Sequence, residues 1–216
     1  MCLLKKEPSM STICFCIGIA EEPCELIEDC LRHLRAAYRA EIVWLINDRG
    51  FNVEAMNLAV AYEARLTGGE YLKLIARGCA WWVRLLDCGL SANADYIAKL
   101  DPDTRIHRPL TCFPDAEISG RYSTENFNHI QGGFQLIRRE AAQRLRTEAA
   151  SPKWIGNIGI AFPCTAELST DLSLDRMRLN LGMRIADNPE VDSHWHAPSH
   201  FRAEAAVTHP HKTPMT

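Results

Sequence analysis

Short apolar runs of strand length alternate with segments whose apolar residues recur at helical spacing. After the first run, Pro23 opens a segment in which Leu26, Ile27, Cys30 and Leu31 would share one helix face. The predicted strands are 12–19, 42–46, 71–75 and 94–100, and the predicted helices that follow the one at Pro23 are 53–66 and 80–92. This alternation predicts an α/β fold with a parallel nucleotide-binding half over about 12–103.

The second half carries two further helix signals. Arg138 and Arg139 open a predicted helix directly after the Gly132-Gly133 stretch, and Thr170 caps another that Gly182 ends. Residues 121–129 and the chain beyond Pro189 lack strong periodicity and are expected to form loops and a polar tail. With 216 residues and 47% hydrophobic composition, a single α/β domain is the default prediction.

The stretch Asp101-Pro102-Asp103 follows the fourth predicted strand and presents two carboxylates separated by one residue. Pro102 cannot donate to a sheet ladder and biases Asp101 toward extended geometry, in which alternate side chains share a face. Asp101 and Asp103 can therefore converge on one ligand, and hard oxygen donors suit Mg²⁺ or Mn²⁺. An ordinary Asp-Pro-Asp turn after a strand is the alternative.

The net charge and the sequence motifs limit the classes of ligand that the chain could bind. The net charge of −3 without a long basic block argues against nucleic-acid binding. The sequence contains neither G-x-G-x-x-G nor a Walker-type lysine loop, so phosphates would be held by a cation at the carboxylate pair.

Nine scattered cysteines, with no Cys-x-x-Cys pair, indicate buried thiols in a reducing compartment rather than secreted disulfides or a zinc site. The apolar run 13–20 is too short to cross a bilayer. We expect a cytoplasmic location and no transmembrane segment.

These elements resemble the GT-A class of nucleotide-sugar-dependent glycosyltransferases, whose DxD motif follows a strand at the end of a Rossmann-like half. The resemblance implies a single GT-A-like domain with a mixed central sheet flanked by helices: 12–103 binds the nucleotide-sugar, 104–190 is the acceptor and catalytic half, and 191–216 is a C-terminal tail. It also implies that Asp48, after the second strand, contacts the nucleoside, and that Arg77, before the Trp81-Trp82 helix, offsets diphosphate charge.

Two later segments extend the resemblance. Gly132 and Gly133 match small residues that lie beside the donor sugar. Asp171 falls on the catalytic aspartate of the inverting family with an "ED" motif, although Thr170 replaces its glutamate. Asp175, one turn later, is the alternative base.

Histidines are concentrated at the C-terminal end, where five of eight fall between His194 and His211. A late histidine completes the metal shell in some GT-A enzymes, and His209 or His211 resembles it. Imidazole is a suitable third ligand for Mn²⁺.

The resemblance thus implies a metal-dependent transfer of sugar from a nucleoside-diphosphate sugar to an unidentified acceptor hydroxyl of a glycan, lipid or small molecule. It implies inversion at the anomeric carbon, but retention stays open, because a retaining enzyme would also use the carboxylate pair and the metal. Asp101 and Asp103 would hold the cation, and Asp171 would act as the base. Two alternatives stay open: a non-catalytic nucleotide-sugar-binding scaffold, because of Thr170, and a nucleotidyltransferase of similar architecture.

Overall fold

A computed structural model describes residues 11–20, 22–47, 53–68, 78–124, 128–151, 170–193 and 202–209, with the backbone alone at 170–172. The strands are β1 Ile13–Ile19, β2 Val43–Asn47, β3 Arg65–Gly68, β4 Tyr96–Leu100, β5 Arg105–Ile106, β6 Ile118–Ser123, β7 His129–Arg138, β8 Ile185–Asp187, β9 Val191–Asp192 and β10 Val207–Thr208. The helices are α1 Cys24–Ala37, α2 Val53–Ala61, α3 Gly78–Ser91, α4 Arg139–Ala149 and α5 Thr170–Asn180.

Seven strands form a mixed central sheet in the order β3-β2-β1-β4-β7-β6-β8. Strands β1 to β4 run parallel, β7 is antiparallel to both β4 and β6, and β8 runs parallel to β6. The register pairs Ile19 with Asn47 and Ile17 with Leu100, so β1, β2 and β4 end at the same edge of the sheet. Ligands of open α/β sheets bind at this carboxyl edge.

Alternate side chains of β1 supply two cores. Phe15 and Ile17 pack with the buried face of α1, whereas Cys14 and Cys16 face the buried tryptophans Trp81 and Trp82 of α3 on the other side. A strand covered on both faces reads as a continuous apolar run, which is why the first strand was visible in the sequence.

The signals that begin α1 and end α5 are confirmed, and the helix predicted from Arg138 begins one residue later, because Arg138 is the last residue of β7. Pro23 directly precedes α1, and α4 begins at Arg139 after the extended Arg138. The helix α5 ends before Gly182, which has φ 62°, and the next amide, Met183 N–H, bonds back to the carbonyl of Arg178. A left-handed residue at this position is a common helix stop and favours glycine.

The prediction of one long helix over 53–66 is wrong at its C-terminal end. The helix α2 ends at Ala61, Glu63 adopts φ 50°, and Arg65–Gly68 pairs with β2 as the edge strand β3. Pairing with the open main chain of β2 outweighs the helix propensity of this segment. The predicted strand 71–75 lies outside the described residues.

Two regions expected as loops also contain strands. Residues 118–123 form β6, which pairs with both β7 and β8. Beyond Pro189, β9 and β10 join β5 in a small sheet of order β5-β10-β9, so described residues of the expected tail have regular structure.

The seven cysteines within the described ranges are free thiols, four of them buried. Across those same ranges, no helix is long and apolar enough to span a membrane.

Candidate functional site

The turn after β4 holds the two predicted carboxylates at the carboxyl edge of the sheet. The amide of Asp101 donates to the carbonyl of Gly133 at 3.1 Å, and the Oγ1 of Thr104 donates to the same carbonyl at 2.7 Å. The carbonyl of Asp101 accepts from the Thr104 amide at 3.0 Å. These bonds fix the turn against β7 and orient both aspartates toward one side.

His209 is the histidine that reaches the two carboxylates. Its Nε2 lies 2.8 Å from Oδ1 of Asp103 and 3.6 Å from Oδ2 of Asp101. One ligand atom from each residue lies within 4.8 Å of the others. The small sheet explains this long-range contact, because β10 pairs with β5, the strand that begins two residues after Asp103.

The ring of His209 lies against the backbone of Gly133. A Cβ at position 133 would overlap the imidazole, so glycine is required here by close approach and not by an unusual dihedral. The open side of Gly133 is thus filled by a candidate ligand of the cation. Gly132 contributes its carbonyl to a buried lysine.

That lysine, Lys99, was missed in the sequence. Only 2% of its surface is exposed, and its Nζ lies 2.6 Å from Oδ1 of Asp101 while also donating to the carbonyl of Gly132. The available signal was a cationic residue inside an otherwise apolar strand, two positions before Asp101 and hence on the same strand face.

The electrostatic environment is set by the carboxylates. Burial alone would lower the pKa of His209, but the hydrogen bond to Asp103 and the negative charge of Asp101 outweigh it and raise that pKa. The thiol of Cys30, which faces the carbonyl of Asp101, has its pKa raised by burial first and then by the charge of Asp103.

The donor set fits a divalent cation that prefers oxygen and nitrogen ligands. Two carboxylates and one imidazole suit Mn²⁺ and are compatible with Mg²⁺, and three protein ligands leave positions for phosphate oxygens. Asp101 keeps 35% of its side chain exposed, so the cluster is open to solvent on one side. It is the one group of this kind within the described residues.

For four other predicted site residues, the structure does not describe the side chain. Asp48, Arg77 and His211 lie outside the described residues. Asp171 lies in the first turn of α5, but its side chain is not described.

Asp175, the alternative base, is buried and accepts from Nε of Arg178 at 2.6 Å. Arg178 also donates to the carbonyl of Asn128. The two charges line a cavity of about 560 Å³ together with Tyr122 and Asp187. The sequence spacing alone did not reveal this ion pair of Asp175 with Arg178.

Comparison with known proteins places the fold. No family model matches the chain, and no curated protein matches it significantly. Among solved structures, the chain is similar to galactosyltransferase LgtC in complex with donor and acceptor sugar analogs, with a TM-score of 0.60, 11% identity and coverage of 93% of this chain and 87% of that one.

It is also similar to the glycosyltransferase GlyE of Streptococcus pneumoniae TIGR4, with a TM-score of 0.55 and 12% identity. That match covers 82% of this chain and 45% of GlyE. The seven-stranded mixed sheet flanked by helices is therefore the GT-A glycosyltransferase fold, and an Asp-Asp-His cluster lies at its carboxyl edge.

Proposed function

We propose that this protein is a metal-dependent glycosyltransferase that moves a sugar from a nucleoside-diphosphate sugar to an acceptor hydroxyl, with inversion at the anomeric carbon. The observation that carries the proposal is the cluster of Asp101, Asp103 and His209 at the carboxyl edge of β4. Its position agrees with the general location of ligands in α/β sheets.

Asp101, Asp103 and His209 would hold Mn²⁺ or Mg²⁺. When bound, a divalent cation neutralises charge on the diphosphate and so stabilises it as a leaving group. We favour His209 over His211 as the third ligand because its Nε2 faces both carboxylates.

The remaining donor contacts are assigned from the resemblance. We propose that Asp48 contacts the nucleoside, and that Arg77 offsets phosphate charge. In support, Asp48 follows directly after Asn47, the last residue of β2, and β2 ends at the same sheet edge as β4. Gly132 and Gly133 are assigned to the side of the donor sugar, and the contact between Gly133 and His209 would connect this wall to the cation.

For the base we propose Asp171, which lies in the first turn of α5. Its carboxylate would accept the proton of the acceptor hydroxyl as that oxygen attacks the anomeric carbon opposite the leaving group. The bond from the anomeric carbon to the diphosphate oxygen breaks, and its electron pair leaves with the nucleoside diphosphate. Asp175 is not favoured because its carboxylate is paired with Arg178.

A transfer assay tests this proposal. The protein is incubated with nucleotide-sugars of four bases and a broad acceptor panel, in Mn²⁺ or EDTA, and release of nucleoside diphosphate is followed. A galactose conjugate is included because one similar structure is a galactosyltransferase. We expect nucleoside diphosphate to be released in Mn²⁺ but not in EDTA. We also expect NMR to show that the first-formed product has the inverted anomeric configuration.

Variants separate the roles. Asp171→Asn is expected to lower turnover about 100-fold or more with unchanged donor binding, whereas Asp115→Asn, at an exposed aspartate, serves as the matched control. No transfer by the parent protein would favour a non-catalytic binding domain, and release of pyrophosphate instead would favour a nucleotidyltransferase. Full activity of Asp171→Asn would remove the assignment of the base.

A further inference from the structure

Lys99 is a charged side chain in the centre of the sheet, beside the candidate metal ligands. Its side chain is 2% exposed, and its ammonium lies within hydrogen-bond distance of Asp101 Oδ1 and the carbonyl of Gly132. Burial of an ammonium is costly unless it is paired and hydrogen-bonded. An apolar residue would fill the same strand position without that cost, so the charge itself requires an explanation.

The contact with Lys99 divides the two oxygens of Asp101 between different neighbours. Oδ1 is engaged by the ammonium, at 2.6 Å, whereas Oδ2 faces His209. Because Lys99 and Asp101 are two residues apart on an extended segment, the backbone holds this arrangement. Asp101 thus presents one oxygen, Oδ2, on the side where His209 lies.

We infer that Lys99 is a positioning residue that leaves one oxygen of Asp101 free for the cation and weakens binding of a free divalent cation, so that the cation binds mainly together with a diphosphate. The ammonium cancels one of the two carboxylate charges at the cluster. A diphosphate would restore the missing negative charge. This inference rests on the proposed function, because it assumes a diphosphate donor.

Two effects of Lys99 on cation affinity oppose one another. Its positive charge repels a cation a few ångströms away, which in a partly buried site corresponds to roughly tenfold or more in affinity. Because Lys99 holds the Asp101 carboxylate in one rotamer, it also favours cation binding. Loss of this restraint would lower the cation affinity by at most about fivefold. The repulsion is larger, so neutral variants should bind the free cation more tightly.

The test is a titration of the full chain with Mn²⁺ alone, with unbound Mn²⁺ measured by electron paramagnetic resonance. Lys99→Met removes the charge, Lys99→Gln removes the charge but keeps a hydrogen-bond donor, and Lys99→Arg keeps the charge. Circular dichroism and thermal unfolding verify that each variant is folded. Two neutral variants are used so that the test can still be made if one of them does not fold.

We expect Lys99→Met and Lys99→Gln to bind Mn²⁺ alone about tenfold more tightly than the parent, and Lys99→Arg to stay within about threefold of it. Adding UDP, GDP, CDP or dTDP should tighten Mn²⁺ binding less in the neutral variants than in the parent. If both neutral variants bind Mn²⁺ no more tightly than the parent, or not at all, the role of Lys99 is overturned.

Failure of the proposed function gives a different result. In that case none of the four nucleoside diphosphates would change the Mn²⁺ affinity of the parent, whatever the variants do with Mn²⁺ alone. That outcome overturns both the donor assignment and the coupling of cation to diphosphate. A donor effect in the parent with equal Mn²⁺ affinity in all variants overturns the Lys99 inference alone.

Discussion

At the scale of single residues, the local signals of the site were readable and its long-range contacts were not. Asp101 and Asp103 could be selected because Pro102 marks the end of an apolar strand. The choice between His209 and His211 could not be made, because it depends on a contact across more than one hundred residues. Lys99 was overlooked because strand periodicity gives the face of a residue and not its partner.

A residue-scale prediction concerns the contact of Gly133 with His209. In Gly133→Ala the new Cβ overlaps the imidazole, so the ring must move away from Asp103. We expect Gly133→Ala to bind Mn²⁺ roughly tenfold more weakly than the parent. In a thermal unfolding experiment, this variant should therefore lose most of the stabilisation that Mn²⁺ gives the parent.

The comparison for Gly133→Ala is His209→Ala, alone and combined with it. If the alanine acts by displacing the ring, the double variant will bind Mn²⁺ no more weakly than His209→Ala. Parent-like Mn²⁺ binding by Gly133→Ala would show that the ring and the backbone need not be in contact.

At the scale of elements, strands and helices with many local signals were predicted, and those that depend on distant partners were not. The apolar runs of β1 and β2 are continuous, and that of β4 is interrupted only at Lys99, as expected of strands covered on both faces. The strands β5, β9 and β10 have two residues each, which is too short for a periodic signal. The edge strand β3 was assigned to a helix because only its pairing with β2 makes it a strand.

The small sheet gives an element-scale prediction. Val207 is fully buried between Ile106 and Val191 and precedes His209 by two residues. We expect Val207→Ala to lower the free energy of unfolding by about 2 kcal/mol and to weaken Mn²⁺ binding. Val53→Ala, at a position with 67% exposure, should change unfolding by about 0.5 kcal/mol or less.

Urea unfolding and Mn²⁺ titration measure both effects. Loss of stability in Val207→Ala with unchanged Mn²⁺ affinity would show that the small sheet does not hold His209 in place.

Glu190 connects the loop after β5 to the start of β9. Its carboxylate accepts from Arg108 at 2.6 Å, from both donors of Thr111 at 2.7 Å and from the Cys112 amide at 2.7 Å. Burial acts to raise the pKa of Glu190, but the bonds from Arg108, Cys112 and Thr111 lower it to about 2.

Because this folded-state pKa lies below the usual 4.5, Glu190 stabilises the fold above about pH 4.5, and this stabilisation is lost as the pH falls toward 2. We expect Glu190→Gln to be less stable than the parent by about 2 kcal/mol at pH 7, with a smaller difference at pH 3.5. Urea unfolding at both pH values measures it. A difference independent of pH would mean that the charge of Glu190 is not responsible.

At the scale of the whole molecule, the parallel arrangement of β1, β2 and β4 was predicted from rules that apply without any relative. Parallel strands joined by helices form one twisted sheet with its ligand edge at their carboxyl ends. That expectation placed Asp101 and Asp103 at the carboxyl edge of the sheet, where the structure has them, although identity to the matching glycosyltransferases is only 11–12%. The sequence alone could not predict the small sheet that brings His209 to this edge.

Metal-dependent binding of a nucleoside diphosphate is the property on which the proposed function depends. The most direct measurement is a thermal-shift screen of UDP, GDP, CDP, dTDP and their sugar conjugates, with and without Mn²⁺, on the parent, Asp103→Asn and the control Asp115→Asn. We expect nucleotides of one base to stabilise the parent and Asp115→Asn when Mn²⁺ is present but not when it is absent. We expect Asp103→Asn to show no response in either condition. No stabilisation of the parent, or an equal response from Asp103→Asn, would contradict a diphosphate site at Asp101, Asp103 and His209.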